Sequence, residues 1–309
     1  MRIAILGATS EIAKDLILAF DKDKQHSLVL FARRPGDVQK WINTVIPASK
    51  FECFNFEVFH HQGSYDAIIN FVGVGNPAKT AALGAGIFDI TLKFDELALN
   101  YIEQNTACKY IFLSSGAAYC SDFQEPANEH TKTTIDLNHL QPQDWYGVAK
   151  LHAECRHRAL SHLSIVDVRV FNYFSHTQDM SARYLITDII RAIKNNTLFI
   201  TSSNTMMRDY IHPHDFHQLV ELILESNSIN TSIDCYSKNP ISKINLLEIM
   251  EINFGLTYVV ETIDQVSNST GNKINYFSAY KKANKVLFYQ PNYSSKDVII
   301  EQTDLILNP

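Results

Sequence analysis

The chain is poor in the residues and runs that mark specialised protein classes. Its 309 residues include five cysteines, Cys53, Cys108, Cys120, Cys155 and Cys235. None forms a C-x-x-C pair and the count is odd, which argues against a disulfide framework or a zinc site. Reduced thiols in a cytoplasmic protein are the expectation. No apolar run approaches the ~18 residues of a membrane helix. Met1-Arg2 leads straight into Ile3–Leu6, a stretch too short for the hydrophobic part of a signal peptide, so no membrane partner is expected. Basic residues are not in excess: 27 Lys and Arg against 33 Asp and Glu give a net charge of −6. That balance is a poor match to a phosphate backbone, and no nucleic-acid partner is expected. With only 11 glycines and 19% charged residues, collagen, coiled coil and disorder are excluded as the main state. What remains is 46% hydrophobic residues, enough for a large buried core, in a length that suggests about two domains.

The first half alternates between two patterns. Ile3–Leu6, Leu28–Phe31, Phe51–Phe56, Ala67–Val72, Lys109–Leu113 and Ile165–Val170 read as strands. Between them, 11–20, 37–46, 88–104 and 144–161 carry apolar residues at helical spacing. Continuous apolar strands alternating with helices predict an α/β fold, a doubly wound, parallel Rossmann sheet. After Phe171 the pattern changes, with helices expected over 181–195, 213–225 and 244–253 and strands over Leu198–Ile200, Ser232–Tyr236 and Tyr258–Glu261. The stretch 274–307 is mixed. The expected division is a dinucleotide-binding domain over 1–171 and a smaller C-terminal α/β substrate-binding region over 172–309, with the helix over 213–227 packing back on the first domain.

Gly7-Ala8-Thr9-Ser10-Glu11-Ile12-Ala13 joins the first strand to the first helix. A dinucleotide pyrophosphate sits at such a turn, on backbone N–H groups at a helix N-terminus. Gly7 permits the tight turn, and Thr9, Ser10, Glu11 and Ile12 are candidate cofactor contacts. Ser10 and Ala13 stand where the usual second and third glycines would be. The second strand ends in Ala32-Arg33-Arg34 with no carboxylate for a ribose 2′-hydroxyl. Two guanidiniums suit a 2′-phosphate, so Arg33 and Arg34 favour NADP(H), with NAD(H) the other possibility. Phe71, Val72 and Gly73, closing the fourth strand, are further candidates for the cofactor site.

Tyr146 and Lys150 stand four apart on a helix and face the same way. Ser115 ends the fifth strand, the edge where an open α/β sheet places its ligands. Hydride transfer to a carbonyl makes an alkoxide that needs a proton, and the reverse needs a base. A free tyrosine, with a pKa near ~10, is a poor base at neutral pH. A nearby ammonium lowers that pKa, a serine hydroxyl can orient the reacting oxygen, and the lysine can also hold the nicotinamide ribose. Ser115, Tyr146 and Lys150 are therefore the candidate catalytic residues.

On the segments 7–13, 114–119, 146–150, 169–172 and 208–215, the chain resembles the extended short-chain dehydrogenase/reductases, the NAD(P)-dependent nucleotide-sugar epimerase/dehydratase group. The resemblance covers nearly the whole chain. It implies a Ser115–Tyr146–Lys150 triad, and substrate contacts by Ser115, Gly116, Asn172 and Arg208, the last two on the diphosphate of a nucleotide-diphosphate sugar. It also implies a homodimer through helices matching 88–104 and 144–161. The dehydratases of the group carry an Asp-Glu pair after the catalytic hydroxyl, where this chain has Gly116 and Ala117, which argues against a 4,6-dehydratase. Segment 201–207 also departs from the group's usual glycines. Three readings follow: an NADPH-dependent reductase of a keto-deoxysugar at C4, an NAD-dependent C4 epimerase, and a non-catalytic NAD(P)-binding sensor. His212, His214 and His217 spell H-x-H-x-x-H, but the resemblance accounts for a polar turn there and no metal is expected. His60, His61, His152 and His157 are expected at the surface.

Overall fold

Apolar residues on both sides of a strand can be buried only inside a sheet covered by helices on each face. The structure, a computed structural model, describes residues 1–73, 80, 82–261 and 273–308. Its strands are β1 (Arg2–Leu6), β2 (Ser27–Phe31), β3 (Glu52–Phe54), β4 (Ala67–Asn70), β5 (Lys109–Ser115), β6 (Ile165–Val170) and β7 (Asn172–Tyr173). They continue with β8 (Phe199–Ser202), β9 (Met207–Arg208), β10 (Tyr210–Ile211), β11 (Asn230–Asp234), β12 (Ile241–Ser242), β13 (Tyr258–Glu261) and β14 (Asn275–Tyr276). The longer helices are α1 (Glu11–Asp23), α2 (Pro35–Val45), α3 (Gly86–Gln104), α4 (Trp145–Ala159), α5 (Leu185–Asn195), α6 (Pro213–Glu225), α7 (Lys243–Phe254), α8 (Lys282–Leu287) and α9 (Ser295–Leu307).

The central sheet runs β11-β6-β5-β4-β1-β2-β3 and is parallel throughout. Alternation along β1 sets its two faces. Ile3 and Ile5 pack with Leu16 and Phe20 of α1, Ile42 of α2 and Leu219 of α6. Ala4 and Leu6 pack with Ala98 and Ile102 of α3 and Ala153 of α4. Each fully buried Ile or Leu in such a layer contributes about 1.5–3 kcal/mol. The doubly wound reading therefore holds. Several bounds move: β3 is shorter than 51–56 and gives way to a 3-10 turn over Phe56–His61, and α5 begins at Leu185. The strand expected at 232–236 lies at β11, because Asn230 registers with Ile165 of β6. The chain beyond residue 172 thus supplies a seventh strand of the main sheet, and α6 packs beside α1.

The remaining elements build a smaller layer. β10 pairs with β7, β9 lies between β12 and β14, and β13 pairs with β8. α5, α7 and α9 share an apolar cluster that includes Ile189, Leu246, Met250 and Val298. Buried carboxylates fasten this layer to the main sheet. Asp215, at the start of α6, accepts from the amides of Asn292 and Tyr293 at 2.8 and 3.0 Å. Asp209 accepts from the Ser237 amide and the Ser295 hydroxyl at 3.0 and 3.1 Å.

One surface expectation is overturned. His157 is fully buried, while His60, His61 and His152 are exposed. The inward stripe of α4 is polar: Lys150, Glu154 and His157 follow each other at helical spacing and are all buried. His157 lies between two buried carboxylates, Nδ1 2.5 Å from Asp167 and Nε2 2.7 Å from Asp95. Burial opposes its charge, but the two aspartates outweigh that and raise its pKa to about 9 from a usual 6.5. A raised histidine stabilises the fold fully below pH 6.5, and that contribution is lost as pH climbs through 9. A gap of this size corresponds to roughly 3 kcal/mol. Denaturation midpoints should accordingly fall between pH 6.5 and 9.5 in the native chain, and His157→Gln should flatten the decline. Equal slopes in the two proteins would remove the buried imidazolium from the account.

Candidate active site

The cofactor cradle begins at Gly7. Its φ of +84° lies in the left-handed region, and a Cβ there would sit 3.0 Å from the carbonyl carbon of Phe71 and 3.0 Å from the Val72 nitrogen. The turn after β1 can pass this close to the end of β4 only without a side chain. The amides of Gly7 and Ala8 both donate to the Phe31 carbonyl, at 2.9 and 3.1 Å. Ser10, at the N-cap of α1, makes no capping bond with its side chain. That suits an anion seated on the first turn, on the positive end of the helix dipole. Thr9 is exposed, Ser10 and Ile12 are half-buried, and the Glu11 carboxylate accepts from the Asp179 amide at 2.9 Å. Glu11 therefore ties α1 to the chain after β7 with its side chain.

Across the groove, Phe71 is buried, Val72 half-buried and Gly73 exposed. The Val72 amide donates to the Asn70 side chain at 2.9 Å, which fixes the turn after β4. Arg33 and Arg34 are exposed at the end of β2, and Arg34 Nε is 3.0 Å from Asp37. An ion pair this exposed is worth little and can be exchanged for another anion. The cradle and the amide-lined helix start suit a dinucleotide, and the two guanidiniums lie exposed at the end of β2 beside them.

The three candidate catalytic residues converge from β5 and α4. Ser115 is buried at the end of β5 and its Oγ accepts from the Ala117 amide at 3.2 Å. Lys150 is buried; its ammonium donates to the Leu113 carbonyl at 2.7 Å and lies 4.2 Å from the Phe112 ring centroid and 5.9 Å from that of Tyr146. A Cβ placed on Gly73 would be 3.6 Å from the same ammonium, so Lys150 reaches the cofactor groove. Burial lowers the Lys150 pKa to about 8, with Asp95, Glu154 and Asp167 limiting the fall. Burial also pushes the Tyr146 hydroxyl well above its usual value, although the neighbouring Ser115 hydroxyl works the other way. The lowering expected from Lys150 is not seen here: its ammonium is 5.9 Å from the Tyr146 ring centroid, and burial wins, so Tyr146 holds its proton.

The wall beyond Ser115 contains residues that sequence reasoning missed. The Tyr276 hydroxyl lies 3.3 Å from Ser115 Oγ, and Tyr276 packs with Phe123 and Phe171, all three buried. A Cβ on Gly116 would meet the Phe171 ring at 2.3 Å, so the residue after Ser115 is held to glycine. Asn172 donates to the carbonyls of Asp209 and Tyr276 at 3.4 Å each. Arg208 is buried and donates to the carbonyls of Met207, Lys273 and Ile274 at 2.7, 3.0 and 3.3 Å. Both thus join β7, β9 and β14 at the rim of the site. Segment 274–307 has no clear periodicity, and nothing local in it singles out Tyr276.

The H-x-H-x-x-H run has other tasks. His212 stacks on Tyr293 at 3.8 Å and caps α6 through the His214 amide, while His217 faces Asp23 and Glu221. Among the described residues no group of His, Cys, Asp and Glu is arranged to hold a metal ion. No described helix is long and apolar enough to cross a membrane.

Residues 3–236 match the model of the NAD dependent epimerase/dehydratase family. Comparison with curated proteins yields no match. Among solved structures, UDP-glucuronic acid 4-epimerase from Bacillus cereus, in complex with UDP-glucuronic acid and NAD, superposes with a TM-score of 0.78 at 18% identity, covering 99% of each chain. UDP-glucose 4-epimerase from Bifidobacterium longum, with NAD+ and UDP, gives 0.76 at 17% identity over 99% of this chain and 98% of that one. dTDP-glucose 4,6-dehydratase from Bacillus anthracis, with NAD, gives 0.76 at 14% identity over 99% and 96%. At these identities the likeness is one of fold.

The clash at Gly116 can be tested directly. Gly116→Ala should cost about 1–3 kcal/mol of stability through overpacking against Phe171. Adding Phe171→Leu should recover most of it. Urea denaturation of the two variants checks this, and an unperturbed single variant would show that the aromatic wall yields freely.

Proposed function

Because the chain belongs to the NAD dependent epimerase/dehydratase family, as an enzyme of the extended short-chain dehydrogenase type, we propose that it is an NADP(H)-dependent reductase of a nucleotide-diphosphate keto sugar, acting at a C4 keto group. The observation that carries the cofactor choice is the exposed Arg33–Arg34 pair at the end of β2, where an NAD enzyme places a carboxylate. The bound nicotinamide supplies hydride. Tyr146 donates the proton to the forming alkoxide, Ser115 holds the reacting oxygen, and Lys150 orients the ribose and places positive charge near Tyr146. Asn172 and Arg208, which hold backbone carbonyls in this structure, would turn to the diphosphate of the substrate; the UDP and UDP-sugar ligands of the neighbouring epimerases support that class. Gly116, closed to a side chain by Phe171, supports the case against dehydration.

In this reading residues 1–171, with α6 and β11, hold the dinucleotide, and the rest of 172–309 holds the sugar. A homodimer through α3 and α4, in the cytoplasm, belongs to the same reading on the strength of the family resemblance. An NAD-dependent C4 epimerase is the second reading, supported by the family and by the NAD bound in the neighbouring epimerases.

Titration of the cofactor-stripped protein with NADPH and NADH separates the two. The reductase should prefer NADPH at least ~10-fold, about 1.4 kcal/mol, and Arg33→Ala with Arg34→Ala should erase the preference. Preference for NADH, or NAD that resists stripping, puts the epimerase first. Tyr146→Phe should lower kcat by roughly 10²–10⁴-fold while leaving the cofactor Kd unchanged. The pH profile follows from Lys150: its cation is present below about pH 8 and lost above. The reductive kcat should therefore be level through neutral pH and decline above 8, a limb that stopped-flow measurement across pH 6–10 would reveal or deny.

A further inference from the structure

One cation at the sugar end of the site has no use in the mechanism above. The Lys273 ammonium lies 4.9 Å from the ring centroid of Tyr276 and 5.3 Å from that of Phe123. Both rings are buried. Lys273 makes no side-chain hydrogen bond or ion pair within the described residues, and its surroundings lower its pKa through burial. The charged and titratable groups around it are Arg208 on β9, Cys120 after the Ser115 turn and Asp144 before α4. Lys273 is half-buried, so its ammonium lines the groove beside these rings, where a ligand of opposite charge can reach it.

Its position selects the part of the ligand it would meet. Tyr276, whose ring faces Lys273, has its hydroxyl 3.3 Å from Ser115 Oγ. Cys120, another neighbour of Lys273, has its Sγ 3.3 Å from where a Cβ on Gly147 would stand, one residue beyond Tyr146. Lys273 is thus beside the reacting end of the pocket. Arg208, 5.8 Å from the Tyr276 ring, is turned to the carbonyls of β9 and the β14 approach.

We propose that Lys273 is a specificity-determining residue that pairs with an acidic substituent on the sugar, so that the substrate class is a nucleotide-diphosphate sugar acid, with a carboxylate on the ring carbon next to the reacting one. This rests on the nucleotide-sugar reading given above. It changes the expectation of an uncharged deoxysugar into that of a hexuronate or its keto form.

The test is calorimetric titration of the NADPH-loaded protein with UDP, UDP-glucose and UDP-glucuronate, using the native chain, Lys273→Gln and Lys273→Arg. A charge-assisted hydrogen bond should make UDP-glucuronate bind at least about tenfold tighter than UDP-glucose. Lys273→Gln should abolish that difference and leave UDP unchanged, and Lys273→Arg should keep part of it. Equal weakening of all three ligands would assign Lys273 to the diphosphate and overturn the proposal. So would UDP binding with no preference for the acid. If NADPH binds but UDP does not, the nucleotide-sugar reading itself fails, and this inference with it.

Discussion

The active site depends on one buried ion pair behind it. Glu154, one turn beyond Lys150 on α4, accepts from the Ser114 hydroxyl at 2.6 Å and from Arg169 Nε at 3.0 Å to each oxygen. Ser114 immediately precedes Ser115, and Arg169 lies on β6. The pair therefore locks the end of β5, the catalytic face of α4 and the neighbouring strand into one register. Arg169 also lies 4.4 Å from the Tyr119 ring centroid and 3.5 Å from Asp234, so the lock extends to the turn after Ser115 and to β11. Removing one partner of a buried pair leaves an uncompensated charge, which typically costs about 3–5 kcal/mol. That asymmetry makes the arrangement rigid: each group is held by the penalty of losing another.

Asp234 carries the lock forward into the smaller layer. It accepts from the Tyr119 hydroxyl at 2.8 Å and from Ser278, two residues beyond Tyr276. The returning chain is thereby pinned where it presents Tyr276 to Ser115. The wall around Tyr276 and the turn after Ser115 share one buried carboxylate, although residues 119 and 278 are far apart in sequence. A side chain on Gly116 would break the same contact from the other side, since Phe171 fills the space between them.

What could be read from the sequence follows the range of the interactions. The strands of the main sheet carry their own periodicity, and β6 and α6 have the expected limits. Tyr146 and Lys150 were legible because a four-residue spacing is a local property of a helix, and Ser115 because it ends an apolar strand. His157 was misplaced for the opposite reason. Set between Arg156 and Arg158, it looks like a charged helix end, and its partner Asp95 stands 62 residues away. Tyr276 and Lys273 were missed because β14 and β9 are two-residue strands, too short to show a pattern, that pair Asn275 with Met207.

The distribution of charge around α4 explains how a lysine can serve deep in the sheet. Lys150 loses most of its hydration, which by itself favours the neutral amine. Asp95, Glu154 and Asp167 oppose that loss and keep its pKa near 8. Each of those carboxylates is itself compensated: Glu154 by Arg169, Asp167 by His157 and Arg158, and Asp95 by His157 and Arg156. The imidazolium of His157 is thus the counterweight that lets two aspartates stand behind α4 without repelling each other. A helix with a purely apolar inner face would lack these carboxylates, and the Lys150 pKa would fall further. The polar stripe of α4 gives up hydrophobic burial and, in exchange, sets the charge state of Lys150.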